Sequence, residues 1–232
     1  MGQGLLRRLL GAALVATVGV LIGAGVANAS PLWYSHGKRL GEGAVVPVTT
    51  RGILTLAVLH TGPSFEVTCH VRDRETVTNP VGGSAGTGEV TEFSLSKCVA
   101  TNVPCPEGRS AELIAHKLPW LTHLLQEPPG PIRDVIEGIG LELTCSGETP
   151  SFRDPFSGTL TPTVSGSVLE FGAESGQLRD PANRKATITG TDKLRGPRSD
   201  EGERAPPITA RDPSQEEELE ELRAEQEEQQ ED

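Results

Sequence analysis

Aromatic side chains are scarce in this sequence: two Trp, one Tyr and five Phe among 232 residues. A carbohydrate-binding surface built from ring platforms has little to draw on here. Trp33 and Tyr34 stand together ahead of the first strand signals, so Trp120 is the one ring expected either as an exposed anchor or, as such a residue more often serves, closing a core. Basic clusters are missing too. The formal net charge is -11 and no segment gathers Lys and Arg, which excludes nucleic acid and anionic membrane surfaces as partners. No Cys-x-x-Cys occurs and the five histidines are scattered, so no metal site is expected, and no motif calls for a cofactor.

Only one apolar run approaches a bilayer span, from Leu9 to about Val26. It follows Arg7 and Arg8 and ends in Ala27-Asn28-Ala29, with small residues where a signal peptidase reads. This pattern predicts a secretory signal peptide over 1–29, cut between Ala29 and Ser30, with an uncleaved anchor as the alternative. After the cut, the chain is expected to be secreted, with no attachment to membrane. Charge is uneven along the mature chain: residues 30–197 carry 15 basic and 18 acidic side chains, and 198–232 carry 4 and 14. About 150 residues are left for a folded part, enough for one domain with a sizeable core.

Four cysteines in an exported chain imply two disulfides. Cys98 and Cys105 bracket a short segment with Asn102 and Pro104, which favour a turn, so these two are expected to pair. Cys69 and Cys145 would then pair, each on the apolar side of an alternating strand (Val67, Cys69, Val71 and Leu141, Leu143, Cys145) and facing one core.

Strand signals run through the chain. Residues 30–43 have no period and read as an extended, poorly ordered arm. Val45–Thr49, Ile53–Leu59 and 64–72 form a meander with a turn at His60–Pro63. The glycine-rich stretch 82–88 is a loop, and 89–95 alternates strictly into Cys98. Residues 110–126 have helical spacing interrupted by Pro119, leaving helix and strand both open. Ile132–Ile136 and Ile139–Cys145, a pair around Ser165-Gly166 with Pro162 at an edge, and Lys185–Thr191 complete the set. Eight or more short strands with at most one helix predict an all-β fold: a single antiparallel β-sandwich or barrel of about eight strands, over 44–193.

The order of a Thr-Cys strand ending at Cys69, a strand entering a Cys-turn-Cys loop, a second Thr-Cys strand ending at Cys145, then Ser-Gly-Thr-Leu-Thr-Pro at 157–162, Leu169-Glu-Phe171 and Ser175-Gly-Gln177 resembles small secreted actinobacterial proteins with a disulfide-bonded β domain. The resemblance covers roughly 50 to 192. It implies a strand over 110–118 and brings no catalytic residues. The long acidic tail departs from it.

From Leu194 the composition changes to proline and mixed charge, so 194–232 reads as a linker and a disordered acidic tail. Ser214 and Glu217 form a capping pair ahead of Leu219 and Leu222, but so short and acidic a helix is marginal in water. The tail would draw cationic envelope components weakly, in a salt-sensitive way.

Two function classes remain. Gly82-Gly-Ser84-Ala-Gly86 matches the Gly-x-Ser-x-Gly pattern of a nucleophile elbow, which needs a strand before it and a helix after it. A strand follows here, so a secreted serine hydrolase using Ser84 is the alternative to an exported, non-enzymatic binding or structural module at the cell envelope. His116 and His123 are read as surface histidines. Asp73 with Glu75 and Glu89 with Glu92 are read as solvent-facing charge on strand faces.

Overall fold

The computed structural model describes residues 30–59, 64–103, 105, 107, 109–146, 152–197 and 205–213. The expected signal peptide, the turn at His60–Pro63 and the tail beyond Pro213 lie outside them. The strands are β1 (Leu32–Ser35), β2 (Lys38–Arg39), β3 (Val46–Leu59), β4 (Phe65–Thr78), β5 (Thr87–Thr101), β6 (Ala111–His116) and β7 (Trp120–Gln126). They continue with β8 (Ile132–Cys145), β9 (Arg153–Leu160), β10 (Thr163–Ser165), β11 (Val168–Phe171), β12 (Leu178–Arg179), β13 (Lys185–Arg195) and β14 (Ile208–Arg211).

Successive strands pair antiparallel, and β13 returns to pair with β3 over eleven residues, from Lys185↔Leu59 to Arg195↔Thr49. That closure makes an eight-stranded barrel. Three of its eight positions are each filled by two strand pieces. Strands β6 and β7 lie end to end along β8, as do β9 and β10, while β11 and β12 share the flank of β13. The all-β expectation holds, and the return of β13 to β3, strands that a two-sheet sandwich would leave as free edges, decides for the barrel. The open segment 110–126 is strand on both sides of Pro119. Closure also overrides the expected edge at Pro162, which sits between β9 and β10 with its carbonyl accepting from the Asp134 amide.

Alternation along the strands sends every second side chain inward. In β4 the inward set is unbroken: Phe65, Val67, Cys69, Val71, Asp73, Glu75 and Val77 are all buried. Packed against them are Leu54, Leu56 and Val58 of β3, Ile139, Leu141 and Leu143 of β8, Phe156 of β9, and Ile188 of β13.

Three expectations need correction. Residues 30–43 are not a loose arm: β1 and β2 join β14 in a small sheet across one end of the barrel, and Trp33 and Tyr34 are fully buried. Asn79, at the end of β4, fixes this cap. Its Oδ1 accepts from the Trp33 amide at 2.8 Å, and its Nδ2 donates to the carbonyls of Trp33 and Leu40 at 3.0 Å each. Gly86 leaves room for the indole, since a Cβ there would lie 2.6 Å from Trp33 Cδ1. Second, β14 falls inside the stretch expected to be linker, and Ile208 is fully buried. The folded part therefore extends past 193 to at least Arg211.

Third, the disulfides are Cys69–Cys98 and Cys105–Cys145, not Cys98–Cys105 and Cys69–Cys145. Both Cys69 and Cys145 do face the core. They sit on β4 and β8, however, which β5 and β6/β7 hold apart around the barrel wall. The nearest cysteine to Cys69 is Cys98 on the adjoining β5, with a Cα separation of 4.1 Å. Strand β5 runs on to Thr101 before the chain turns, which carries Cys98 away from the loop that holds Cys105. Two disulfides fit an oxidising compartment, and among the described residues no helix is long and apolar enough to cross a membrane.

Candidate functional site

At the capped end of the barrel four inward positions carry acids: Asp73 and Glu75 on β4, Asp134 on β8 and Asp192 on β13. They are 6, 4, 1 and 2 % exposed. Glycines at the closing junction help to place them. Gly52 lies opposite Asp192 in the register, and Gly190 lies opposite Leu54. A Cβ at Gly52 would collide with the Thr191 carbonyl, and one at Gly190 with the Ile53 carbonyl, so β3 and β13 approach more closely than residues with side chains permit. Across this junction the Thr50 hydroxyl donates to Asp192 Oδ2 at 2.5 Å, while the Lys193 amide donates to Oδ1 at 3.0 Å.

Hydrogen bonding inside the cluster is incomplete. Asp73 Oδ1, Glu75 Oε1 and both oxygens of Asp134 have no partner, nor has the hydroxyl of Thr122 on β7, a residue 3 % exposed. Among the described residues no Lys, Arg or His is buried. The opposite end of the barrel shows what compensation looks like. There Asp154 is also buried, and Arg184 reaches over to bind both Asp154 and Asp180 at 2.6 Å each.

Uncompensated burial shifts the cluster towards its protonated form, because an ion loses its hydration while a neutral acid loses little. Burial raises Asp73 to about 6, with hydrogen bonds from Thr50 and Asp192 holding it back. Asp134 rises to about 7, again through burial, with the charge of Asp73 adding to the shift. Asp192 rises to about 8 through burial and repulsion from Asp73. Glu75 is driven well above the usual carboxylate range, by burial first and then by Asp73, Asp134 and Asp192.

Next to the acids lies an apolar cavity. Asp73, Glu75 and Asp192 form one side of it, while Phe93, Trp120, Leu141 and Ile188 are among the apolar residues that complete it. Its volume is about 30 Å³, room for about two waters. The Phe93 and Trp120 rings meet at 5.0 Å, tilted by 49°, and the Trp120 indole donates to the His116 carbonyl at 2.9 Å. Trp120 thus closes the core and is not an exposed anchor.

Beside this ring pair the barrel wall changes character. Strand β5 pairs with β7 only over Thr87–Val90, against Trp120–His123. From Thr91 to Thr101 it has no ladder on that side, and β6 pairs only with β8. Strands β5 and β6 therefore face each other across a seam without backbone pairing. A groove of about 450 Å³ overlies it, lined by Leu95–Cys98 and Ser110–Ile114. Inward residues Phe93, Leu95 and Cys98 are only half-buried. Each disulfide holds one flank of the seam: Cys69–Cys98 ties β5 back to β4, and Cys105–Cys145 ties the following loop to β8.

The residues singled out in the sequence are dispersed. Ser84 is exposed in the turn between β4 and β5, makes no side-chain hydrogen bond among the described residues, and is followed by a strand. His116 and His123 point outward from two different strands, His116 lying 3.9 Å from Glu142. No group of three His, Cys, Asp or Glu side chains among the described residues could hold a metal ion. Glu92 pairs with Arg74 on the outer surface at 3.0 Å. Only Asp73 and Glu75 belong to the cluster, and their reading as solvent-facing charge is overturned by burial. Asp134, Asp192, Thr50 and Thr122 were not foreseen. Their signal was phase: Asp134 alternates with Ile132 and Ile136, and Asp192 with Ile188 and Leu194, so each acid occupies a slot the strand period assigns to the core. Compared with family models, curated proteins and solved structures, the chain matches none.

Proposed function

We propose that the chain is an exported, non-enzymatic binding module whose barrel interior holds a small apolar ligand admitted between β5 and β6. The observation that carries this reading is the unpaired seam, placed where the Phe93–Trp120 pair covers an apolar cavity. Eight-stranded barrels are just wide enough to fill with side chains or to hold one small ligand. In its closed form this one is nearly filled, so a ligand larger than water enters by displacing side chains. Displacement costs least where no ladder breaks and the side chains are already half in water, as Phe93 and Leu95 are. Secretion belongs to the same reading: the leader pattern and the two disulfides support it. The alternative, a serine hydrolase acting through Ser84, gains no support from the surroundings of that residue.

Titrating the oxidised chain from Ser30 onward with 1-octanol tests the reading. Trp120 lines the cavity, so its emission should shift and saturate, and Phe93→Ala should speed association by opening the seam. Emission that changes only in proportion to bulk octanol, with no saturation, would overturn it.

A further inference from the structure

No stretch of the sequence gathers basic residues, but the closing junction of the barrel does. Arg72 on β4, Arg51 on β3 and Lys193 on β13 are all exposed on the outer wall. Arg51 and Lys193 are direct partners in the register, and the pairs Thr49↔Arg74 and Gly52↔Val71 put Arg72 at the same level on the other side of Arg51. Arg195 follows on the same face, two residues further along β13. We propose that this basic row is the docking site of the chain's own acidic C-terminal stretch, residues 214–232, with the acids from Glu220 to Glu228 laid across it. The proposal is independent of the ligand reading above.

Two observations carry it. The first is unrelieved repulsion. Like charges directly opposite on paired strands destabilise a sheet. Here three cations stand side by side, and among the described residues neither they nor Arg195 has an acidic partner. Neighbouring Arg74 shows the usual remedy, an ion pair to Glu92 at 3.0 Å. Along the row runs a groove of about 450 Å³, bounded by Arg51, Lys193 and Arg195 on the wall and by Gly196, Pro197 and Ala205 at its lip. The second observation is where the complementary charge begins. Residues 214–232 hold ten acids against one base, Arg223. Pro207 bridges to Arg195, and the Gly196 amide donates to the Pro206 carbonyl, so the chain enters β14 from the lip of the groove. Pro213 stands six residues beyond Pro207, about 20 Å at full extension. Turning back over that distance takes about six extended residues, so the acids from Glu220 onward reach the row with chain to spare.

Each exposed ion pair is weak, and the tether makes up the difference. A segment held this close meets the row at an effective concentration of about millimolar, so several weak pairs act together. Such attraction is screened over about 10 Å at 0.1 M salt, so docking weakens as ionic strength rises. The docked stretch closes the groove to other anions. An external cation reaches these acids only in competition with Arg51, Arg72, Lys193 and Arg195.

Zero-length carbodiimide coupling of the oxidised chain from Ser30 onward tests the proposal, because it joins a lysine amine only to a carboxylate already in contact with it. Peptide mapping of the coupled monomer in about 20 mM salt should find Lys193 joined to acids between Glu220 and Glu228. The yield should be at least about fivefold above that at Lys38, an exposed lysine on the end sheet from which the tail leaves. Raising the salt to about 500 mM should lower it at least about fivefold. Arg51→Gln, Arg72→Gln and Arg195→Gln together should do the same, since they keep Lys193 and disturb no buried side chain. No coupling at Lys193, equal coupling at Lys193 and Lys38, or a yield indifferent to salt and to the three substitutions overturns the proposal. Lys193 joined instead to Asp200, Glu201 or Glu203 would give the groove to the loop beside it, and coupling found in covalent dimers alone would give it to a second copy. Either result overturns docking of the chain's own tail.

Discussion

Asp134 has both carboxylate oxygens buried without a partner, and its titration should be visible in the stability of the whole barrel. A carboxyl whose folded pKa is raised binds more protons folded than unfolded between the two values, so unfolding releases protons and stability falls as pH rises through that window. From an ordinary value of 3.8, Asp73, Asp134 and Asp192 move to about 6, 7 and 8. As far as these groups set it, stability should therefore be highest at about pH 4 and below, fall progressively up to about pH 8, and change little beyond it. Asn keeps the volume of Asp and cannot ionise. Asp134→Asn or Asp192→Asn should raise the melting temperature most at pH 8, less at pH 5 and least near pH 4, flattening the pH profile. Thermal melts across that range check it, and a profile as steep as that of the unsubstituted chain would show that the acids titrate normally.

At the scale of elements, much of the barrel was legible before its closure was known. Strand β4 alternates without a break, and the Gly-rich turn ahead of β5 and the hairpin at Ser165-Gly166 are punctuated as turns should be. Even the acids were legible in phase, because Asp73 follows Val67, Cys69 and Val71 at the same period. What composition obscured was that a charged side chain can hold an inward slot. Pairing was not legible at all: inward phase puts Cys69 and Cys145 in one core, but only the order of strands around the wall decides which sulfurs meet. Because the two disulfides flank the seam, they should differ from a generic staple in what they control. Each closes a loop, of 29 and 40 residues by sequence separation, and so contributes on the order of 2 to 4 kcal/mol to stability. Paired Cys69→Ala and Cys98→Ala should lower stability by about that amount, and should raise hydrogen exchange of the Thr91–Thr101 amides well above that of β3, which is laddered on both sides. Non-reducing peptide mapping fixes the connectivity first. Equal protection of β3 and β5 in the variant would mean that the seam is no weak line in the wall.

The small end sheet connects the far ends of the described chain. Strand β14 pairs with β1 in the register Leu32↔Arg211 to Ser35↔Ile208, and β1 carries the indole that lies under the cap, over the end of the barrel that holds the acids. Composition made 194–232 look like linker and disordered tail, since proline and charge dominate it and its apolar residues are few. Burial of one well-placed side chain overrides that average: Ile208 is fully buried, and the Arg211 guanidinium stacks 5.6 Å from the Tyr34 ring centre. Complete burial of an isoleucine is worth about 2 to 3 kcal/mol. Ending the chain at Pro197 removes that burial together with the β1–β14 ladder. In a chain of this size a loss of about 3 kcal/mol corresponds to a melting temperature lower by roughly 6 to 12 °C. Ending it at Pro213 retains β14 and removes only the acidic stretch beyond, so that form should melt within a few degrees of the full chain. The pair of truncations also separates two roles. The shorter form should admit solvent to Trp33 and lose its raised acid titrations as water reaches the cluster, which a red-shifted emission and a flattened pH profile would report. If both truncations melt together with the full chain, β14 contributes nothing to the cap, and the acids are kept dry by the barrel alone.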